Sequence, residues 1–143
     1  FKETEKEAED SYDFRSVADD IADAGDKEWA KKVYGKTESK AEDCSDFRDL
    51  ADSIHKNLGD KDWAKELYKK AEGKAEDCSD FYRLANSIFK NLGDKEWATR
   101  LYKKAEEKAE DYDDYEELAD SLVYPLGDEK WAKLVEQKAK EIE

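Results

Sequence analysis

The chain has 143 residues with a net charge of −14, and we expect no nucleic-acid partner because phosphate binding needs clustered Lys and Arg. Four Trp, eight Tyr and five Phe argue against a disordered chain, since disordered segments are depleted in aromatic residues. The apolar runs are only a few residues long, so we expect no membrane partner. A single Pro and widely spaced Gly are typical of a helical protein with narrow apolar faces.

A period of 34 residues organises the sequence. It separates four glycines and four tryptophans, which are Gly25, Gly59, Gly93, Gly127, Trp29, Trp63, Trp97 and Trp131. A fixed period of this length predicts a stacked array of helical repeats. We therefore predict one all-α solenoid domain, 1–143, with four antiparallel helical hairpins behind a leading half-helix. Its parts are the partial helix 1–9 and the repeats 10–42, 43–76, 77–110 and 111–143.

The leading segment matches the end of a repeat rather than its start. Residues 1–14, FKETEKEAEDSYDF, align without gaps with residues 68–81, YKKAEGKAEDCSDF. The chain therefore opens inside the second helix of a preceding repeat, with the first half of that helix missing. We expect either a piece cut from a longer array or a half-helix that serves as a cap.

The first helix of each repeat, helix A, is predicted by apolar residues at positions i, i+3, i+4 and i+7. In the second repeat these residues are Phe47, Leu50, Ala51 and Ile54. Equivalent patterns start at Phe81 and at Tyr115 in the next two repeats. Short oxygen-bearing side chains stand before each copy, and we expect them to cap the exposed amides at the helix start.

The second helix, helix B, follows the sequence Leu-Gly-Asp. Gly59 suits the left-handed residue that closes helix A, and Asp60 is expected to cap helix B. An apolar face follows at helical spacing, and in the second repeat it consists of Trp63, Ala64, Leu67, Tyr68, Ala71 and Ala75. We expect the tryptophans to pack between hairpins rather than to stack on a ligand. Pro125 is expected to end the fourth helix A near Tyr124.

The last helix B carries one exception. Glu136 stands at the place of an aromatic residue that the earlier repeats conserve as Tyr34, Tyr68 and Tyr102. A charge in place of a packing aromatic suits a final helix that no further repeat covers.

The repeat resembles the tetratricopeptide repeat, a helical hairpin of 34 residues. Gly59-Asp60, Ala64, Tyr68 and Ala71 fall at that family's turn, alanine, aromatic and alanine positions. Helix A departs from the family, because Phe47, Leu50 and Ala51 lie one residue further from the turn glycine, and the proline between repeats is absent. The near-identity of helix B between repeats fits recent duplication or deliberate design. The resemblance implies a right-handed superhelix whose A helices line a concave surface that binds peptides of partner proteins.

The sequence offers little for catalysis, and we predict no enzyme, no cofactor and no metal site. His55 is the only histidine, lies on the polar side of helix A and is expected to be solvated. Cys44 and Cys78 occupy equivalent places in successive repeats, about 10 Å apart by usual helix spacing, which is too far for a disulfide. We expect free thiols near the surface, which favours a reducing compartment.

Acidic residues recur at each junction between repeats. Hard cations such as Ca²⁺ need several oxygen ligands, but helix capping already accounts for most of these aspartates. The junction residues are Asp43, Asp46, Asp77, Asp80, Asp111, Asp113 and Asp114.

The strongest functional signal is variation between copies, because helix A differs where helix B is nearly constant. Drift at unconstrained surface positions is the competing explanation. Phe89, Val123 and Tyr124 place apolar groups next to charge, as at interface hot spots. The predicted groove residues are Arg15, Asp19, Asp23, Arg48, Asp52, His55, Lys56, Tyr82, Asn86, Phe89, Lys90, Glu116, Asp120, Val123 and Tyr124.

The resulting hypothesis is a non-catalytic scaffold that binds a protein segment, basic or amphipathic, in the groove lined by helix A. One alternative is head-to-tail self-association through the array ends, with Phe1 packing on another chain's last helix. The other alternative is a designed or excised array with no ligand of its own.

Overall fold

A computed structural model describes residues 1–142, which form nine α-helices and no strand. Consecutive helices pack as hairpins, so the predicted all-helical architecture is confirmed. The helices are α1 (Lys2–Glu7), α2 (Ser11–Asp23), α3 (Lys27–Lys40), α4 (Cys44–Leu58), α5 (Lys61–Lys74), α6 (Cys78–Leu92), α7 (Lys95–Lys108), α8 (Tyr112–Val123) and α9 (Glu129–Ile142).

The chain divides into two compact units, Phe1–Lys74 and Ala75–Glu143. The first unit holds α1, the hairpin α2–α3 and the hairpin α4–α5, and α2 and α3 both contact α4. The second unit holds the hairpins α6–α7 and α8–α9, and α6 and α7 both contact α8. The even-numbered helices α2 to α8 are the predicted A helices, and the odd-numbered helices α3 to α9 are the predicted B helices.

Aspartate caps start every helix from α2 to α9. Each cap accepts a hydrogen bond from the backbone N–H three residues later at 2.8–3.0 Å. In the A helices the aspartate at that third position accepts a backbone N–H in return, as Asp46 does from Glu42 at 2.9 Å. The predicted capping role is confirmed, and the caps are Asp10, Asp26, Asp43, Asp60, Asp77, Asp94, Asp111 and Asp128.

The predicted helix ends are also confirmed. Gly59 and Gly93 close α4 and α6 in the left-handed conformation, with φ of 66° and 67°. A residue with a Cβ atom is strained at such angles, which explains the glycine at this point of the repeat. Helix α8 ends at Val123, one residue before the expected position, because Pro125 disfavours helical geometry in the residue before it.

The core consists of the two apolar faces that the periodicity predicts. On α4, Leu50, Ala51 and Ile54 are fully buried, and Phe47 is 8% exposed. Helix α5 contributes a matching face, and its fully buried residues are Ala64, Leu67, Tyr68 and Ala71. Burial of each large apolar side chain stabilises the fold by roughly 1.5–3 kcal/mol, so these narrow faces provide the main driving force in a highly charged chain.

Each of the first three B helices also carries a tyrosine whose hydroxyl forms a hydrogen bond to the A helix of the same hairpin. The Tyr34 hydroxyl donates to Asp19 at 2.5 Å, and the Tyr68 hydroxyl donates to Asp52 at 2.5 Å. In the third hairpin Tyr102 donates to the side-chain oxygen of Asn86. Burial raises the pKa of Tyr34 and of Tyr102, so both phenols stay protonated as donors at neutral pH.

We predict that Tyr34→Phe lowers the free energy of unfolding by about 1–2 kcal/mol, because it removes a hydrogen bond to a carboxylate while keeping the ring. Chemical denaturation of the full chain measures the effect. Tyr12→Phe is the matched control, since the Tyr12 side chain is 66% exposed and its loss of a hydroxyl should change little. Equal effects of the two substitutions would show that the Tyr34 hydroxyl does not stabilise the hairpin.

Candidate functional site

The first unit contains a surface cavity of about 310 Å³ between two A helices, α2 and α4. Five predicted groove residues from both helices line it, and these are Arg15, Asp19, Asp23, Asp52 and Lys56. The other lining residues are Asp49, Ser53 and Asn57. The structure therefore brings these sequence-predicted positions to one concave surface, while Arg48 and His55 do not line it.

Asp19 lies at the centre of the polar contacts in this cavity. Its carboxylate accepts hydrogen bonds from the Asn57 side-chain nitrogen at 3.1 Å and the Ser53 hydroxyl at 3.4 Å, in addition to the Tyr34 hydroxyl. The Arg15 guanidinium lies 3.6 Å from the same carboxylate. Asp19 thus connects α2 to both α3 and α4, so it shapes the cavity wall as well as carrying charge.

The charge balance of the cavity is negative. Four aspartates line it, against one arginine and one lysine, which leaves two net negative charges. A concave acidic surface attracts basic side chains of a partner.

Two predicted groove residues of α4 lie outside the cavity. Arg48 donates a hydrogen bond to Asp49 at 3.1 Å, and its side chain is 14% exposed. His55 is half-buried on α4 rather than fully solvated as the sequence suggested.

In the second unit, two predicted groove residues instead hold helices together. Tyr82 on α6 is only 6% exposed, and its hydroxyl donates to Glu117 on α8. The Asn86 side-chain nitrogen donates to the Ser121 hydroxyl at 3.0 Å. The expectation that Tyr82 offers groove surface is therefore wrong, because the neighbouring A helix covers it.

The remaining positions of the second unit stay accessible. Tyr124 is 73% exposed and Val123 is 45% exposed at the end of α8. The Lys90 ammonium lies 5.3 Å from the centre of the Tyr124 ring, a cation–π contact. Phe89 and Glu116 are half-buried, while Asp120 is exposed. Val123 and Tyr124 thus form an exposed apolar patch beside charged groups, whereas Phe89 contributes only part of its side chain to the surface.

A feature that the sequence analysis missed joins successive B helices. An indole N–H of one helix donates to a glutamate of the preceding one in three places, and a lysine donates to the same carboxylate. We call each set a Trp–Glu–Lys contact, and the three sets are Trp29–Glu5–Lys36, Trp63–Glu38–Lys70 and Trp131–Glu106–Lys138. The indole nitrogens lie 2.9–3.0 Å from the glutamate oxygens.

The contact shifts the acidity of the glutamates. Burial raises the pKa of Glu38 and Glu106, but the hydrogen bonds from lysine and tryptophan outweigh burial and hold each pKa below its ordinary value. The hydrogen bond from Lys36 is the main reason that the pKa of Glu5 is lowered. The sequence carried one indication of this contact, which is the recurrence of glutamate at the repeat interval, at Glu38, Glu72 and Glu106.

Neither Cys44 nor Cys78 forms a disulfide, as expected. The expectation that they lie near the surface is wrong, since each is 1% exposed. Burial raises the pKa of the Cys78 thiol to about 12, and the charges of Asp114 and Asp77 raise it further. The Cys78 sulfur instead contacts the Asp114 carbonyl oxygen at 3.8 Å, which fits a packing role rather than a reactive thiol.

Six of the seven junction aspartates accept backbone N–H groups at helix starts, and these are Asp43, Asp46, Asp77, Asp80, Asp111 and Asp114. Across residues 1–142, no group of three or more His, Cys, Asp or Glu side chains is placed to hold a metal ion. Within the same residues, every helix is too short or too polar to cross a lipid bilayer.

Comparison with known proteins finds no protein-family model that matches the chain and no curated protein that matches its sequence. The interpretation of the chain therefore depends on its own residues and geometry. The hairpin packing of consecutive helices is consistent with a helical repeat protein.

We predict that Glu106→Gln lowers the free energy of unfolding at pH 7 by about 1 kcal/mol, because it removes the charge that Lys138 pairs with and weakens the acceptor of the Trp131 N–H. Since the folded pKa of Glu106 is depressed, its contribution is present above the ordinary glutamate value of 4.5 and is lost as pH falls through the folded pKa. The difference between parent and variant should therefore shrink on acidification.

Glu107→Gln provides the matched control on the same helix, because Glu107 is exposed and carries the same charge. Urea denaturation of parent and both variants from pH 7 to pH 3 measures the comparison. A constant difference across this range for Glu106→Gln, or an equal effect of Glu107→Gln, would contradict the assigned role.

Proposed function

We propose that the chain is a non-catalytic protein-interaction scaffold of tetratricopeptide-like repeats, which binds a peptide or helical segment of a partner on its helix A surface. In this proposal the hairpins form a right-handed superhelix with the A helices on the concave side. The observation that carries it is the cavity between α2 and α4, which collects the predicted groove residues Arg15, Asp19, Asp23, Asp52 and Lys56.

The variation between repeats supports binding over drift at this place. Asp23 of α2 and Lys56 of α4 stand at equivalent places and differ, whereas Asp19 and Asp52 are the same residue at equivalent places. The Trp–Glu–Lys contacts, in contrast, are copied. His55, the only histidine, does not line the cavity, and the lining residues suit ionic and hydrogen-bonded recognition rather than proton transfer.

The chemistry of the partner follows from the charges and the exposed groups. The net negative cavity favours a lysine or arginine side chain of the partner. In the second unit, Val123 and Tyr124 offer an exposed apolar patch next to Lys90 and Asp120, which suits an aliphatic or aromatic side chain. Each surface by itself favours a different kind of side chain, so the proposed partner segment is basic or amphipathic.

The alternative of head-to-tail assembly assigns Phe1 to a contact with another chain. The Phe1 ring instead packs on Trp29 of its own chain, edge to face, with ring centres 6.0 Å apart. This contact gives Phe1 a role that needs no second copy.

We predict that peptides selected from a random displayed library for binding to the full chain are enriched in lysine and arginine. Asp23→Asn together with Asp49→Asn should weaken the selected peptides by on the order of tenfold, since two charges of the cavity are lost. Isothermal titration of the synthesised peptides measures the dissociation constants.

The control variant is Asp62→Asn with Glu66→Gln, which removes the same two charges from exposed positions on α5. It should leave binding nearly unchanged. A selection that yields no peptide, or peptides whose affinity falls equally in both variants, would refute binding at the cavity.

We also predict that Tyr124→Ala with Val123→Ala weakens those selected peptides that contain aromatic or aliphatic anchors, by about tenfold or more. The same titration measures it, with Tyr12→Ala as the control because Tyr12 is another highly exposed tyrosine. An equal loss in the Tyr12 variant would show that the α8 end is not part of the binding surface.

A further inference from the structure

Helix α9 departs from the other B helices at positions that face solvent. Leu134 is 66% exposed and stands where the earlier repeats carry a charged residue, which is Lys32, Glu66 or Arg100. These three counterparts, on α3, α5 and α7, are exposed as well. The exposure of Leu134 therefore belongs to this face of every B helix, and only the choice of an apolar residue is particular to α9.

Two further substitutions change the same side of α9. Lys130 is exposed and replaces an acidic residue, which is Glu28, Asp62 or Glu96 in the earlier repeats. Ile142 is 49% exposed and replaces a lysine that is exposed in all three earlier repeats. Because residues four positions apart are neighbours on a helix surface, Leu134 lies between Lys130 and Lys138.

A recess of about 420 Å³ opens between α7 and α9 beside this leucine. Its lining residues come from both helices and are Lys103, Glu106, Glu107, Trp131 and Lys138. Leu134 follows Trp131 by three positions and precedes Lys138 by four, so it adjoins the wall that these two residues form. Trp131 is half-buried, and part of its ring stays accessible. The recess and the leucine together offer a place for an apolar side chain of a partner.

The charges beside the recess favour an acidic occupant. The Trp–Glu–Lys contact of α7 and α9 is neutral by itself, because its lysine pairs with its glutamate. Next to it lie Lys103 and Lys130 against Glu107. Glu141 stands about two turns past Leu134 and does not line the recess. In a chain with a net charge of −14, this local excess of lysine attracts carboxylates.

The first unit carries a counterpart of this surface without these features. Between α3 and α5, the places of the two lysines and the leucine are taken by Gly35, Asp62 and Glu66. The same contact of tryptophan, glutamate and lysine, that of Trp63, nevertheless forms there. Packing of successive B helices therefore requires neither the lysines nor the leucine.

A second copy of the chain fits this surface poorly. If two α9 helices packed antiparallel on their leucines, Lys130 of each would face Lys138 of the other. In a parallel arrangement each lysine would face the same lysine of the other copy. Because opposed like charges repel, the surface favours an acidic partner over self-association.

We propose that the α7–α9 surface, which consists of Lys103, Lys130, Trp131 and Leu134, binds an acidic amphipathic segment of a partner protein. An aliphatic or aromatic side chain of that segment packs on Leu134 and on the accessible part of Trp131. Carboxylates beside it pair with Lys103 and Lys130. This surface lies on B helices and takes a partner of the opposite charge, so it does not depend on the helix A groove proposed above.

Differential selection of peptides tests this site. A displayed library of alanine-based helical peptides, varied on one face among leucine, phenylalanine, glutamate, lysine and alanine, is selected on the full chain. It is counter-selected on the double variant Lys130→Glu with Leu134→Glu, which gives α9 acidic residues where α5 has Asp62 and Glu66. Both positions are exposed, so the variant should stay folded, which circular dichroism checks. The surviving peptides should be rich in glutamate and in leucine or phenylalanine, and poor in lysine.

Titration of the surviving peptides into the ¹⁵N-labelled full chain locates their binding. The indole N–H signal of Trp131 should shift while that of Trp63 stays in place, each signal being assigned through its Trp→Phe variant. Leu134→Ala should weaken binding by about tenfold, and Lys103→Ala should weaken it several-fold. Glu66→Ala is the matched control at the equivalent exposed position of α5, and it should leave the affinity unchanged.

The proposal is overturned if no peptide discriminates the full chain from the double variant, or if the discriminating peptides are rich in lysine. An unmoved Trp131 signal overturns it as well. Sedimentation of the chain alone over a concentration series tests the remaining occupant, since a dimer that Leu134→Glu dissociates would assign the surface to a second copy.

Failure of this proposal is distinguishable from failure of the groove. Asp23→Asn with Asp49→Asn should leave the acidic peptides unaffected, because these aspartates line the cavity of the first unit. Binding of the acidic peptides that falls in this variant would place them at the cavity and would also contradict the assignment to α7 and α9.

Discussion

The Trp–Glu–Lys contact between successive B helices is the interaction on which the rest of the structure depends. A carboxylate partly removed from water is costly unless charged or polar donors satisfy it. The indole N–H and the lysine ammonium supply these donors, so Glu38 and Glu106 stay ionised inside a packed surface. In a chain with 46% charged residues, such contacts allow hairpins to stack on narrow apolar faces without leaving a buried charge unpaired.

The need to pair charged groups within the fold also determines which surface remains for binding. Tyr34 and Tyr68 use the carboxylates of Asp19 and Asp52 to close their hairpins, so even varying helix A positions have structural duties. These aspartates nevertheless face a cavity, where their charge is still felt by a ligand. The structural contacts thus preorganise the acidic wall, which lowers the ordering cost of binding a basic side chain.

Much of the fold was predictable from sequence because periodicity and capping are local. The apolar spacing of α4, the caps at Asp43 and Asp60, and the glycine ends all follow from residues within a few positions. The burial of Tyr82 was not predictable, because it depends on Glu117, which lies 35 residues away on another helix. The tryptophans were expected to pack, but their hydrogen bonds to glutamate could not be predicted. These bonds depend on which helices pack against each other and in which register. For the same reason the cavity, made by α2 and α4 together, could only be suggested by variation between copies.

A double-mutant cycle between Trp63 and Glu38 tests the central claim most directly. Trp63→Phe removes the N–H donor, Glu38→Gln removes the charge, and the free energies of unfolding of the parent, the two single variants and the double variant give the coupling energy. The account predicts a coupling of about 1 kcal/mol or more at pH 7, as for a hydrogen bond to a charged group. A coupling below about 0.3 kcal/mol, within the usual additivity of independent sites, would contradict it.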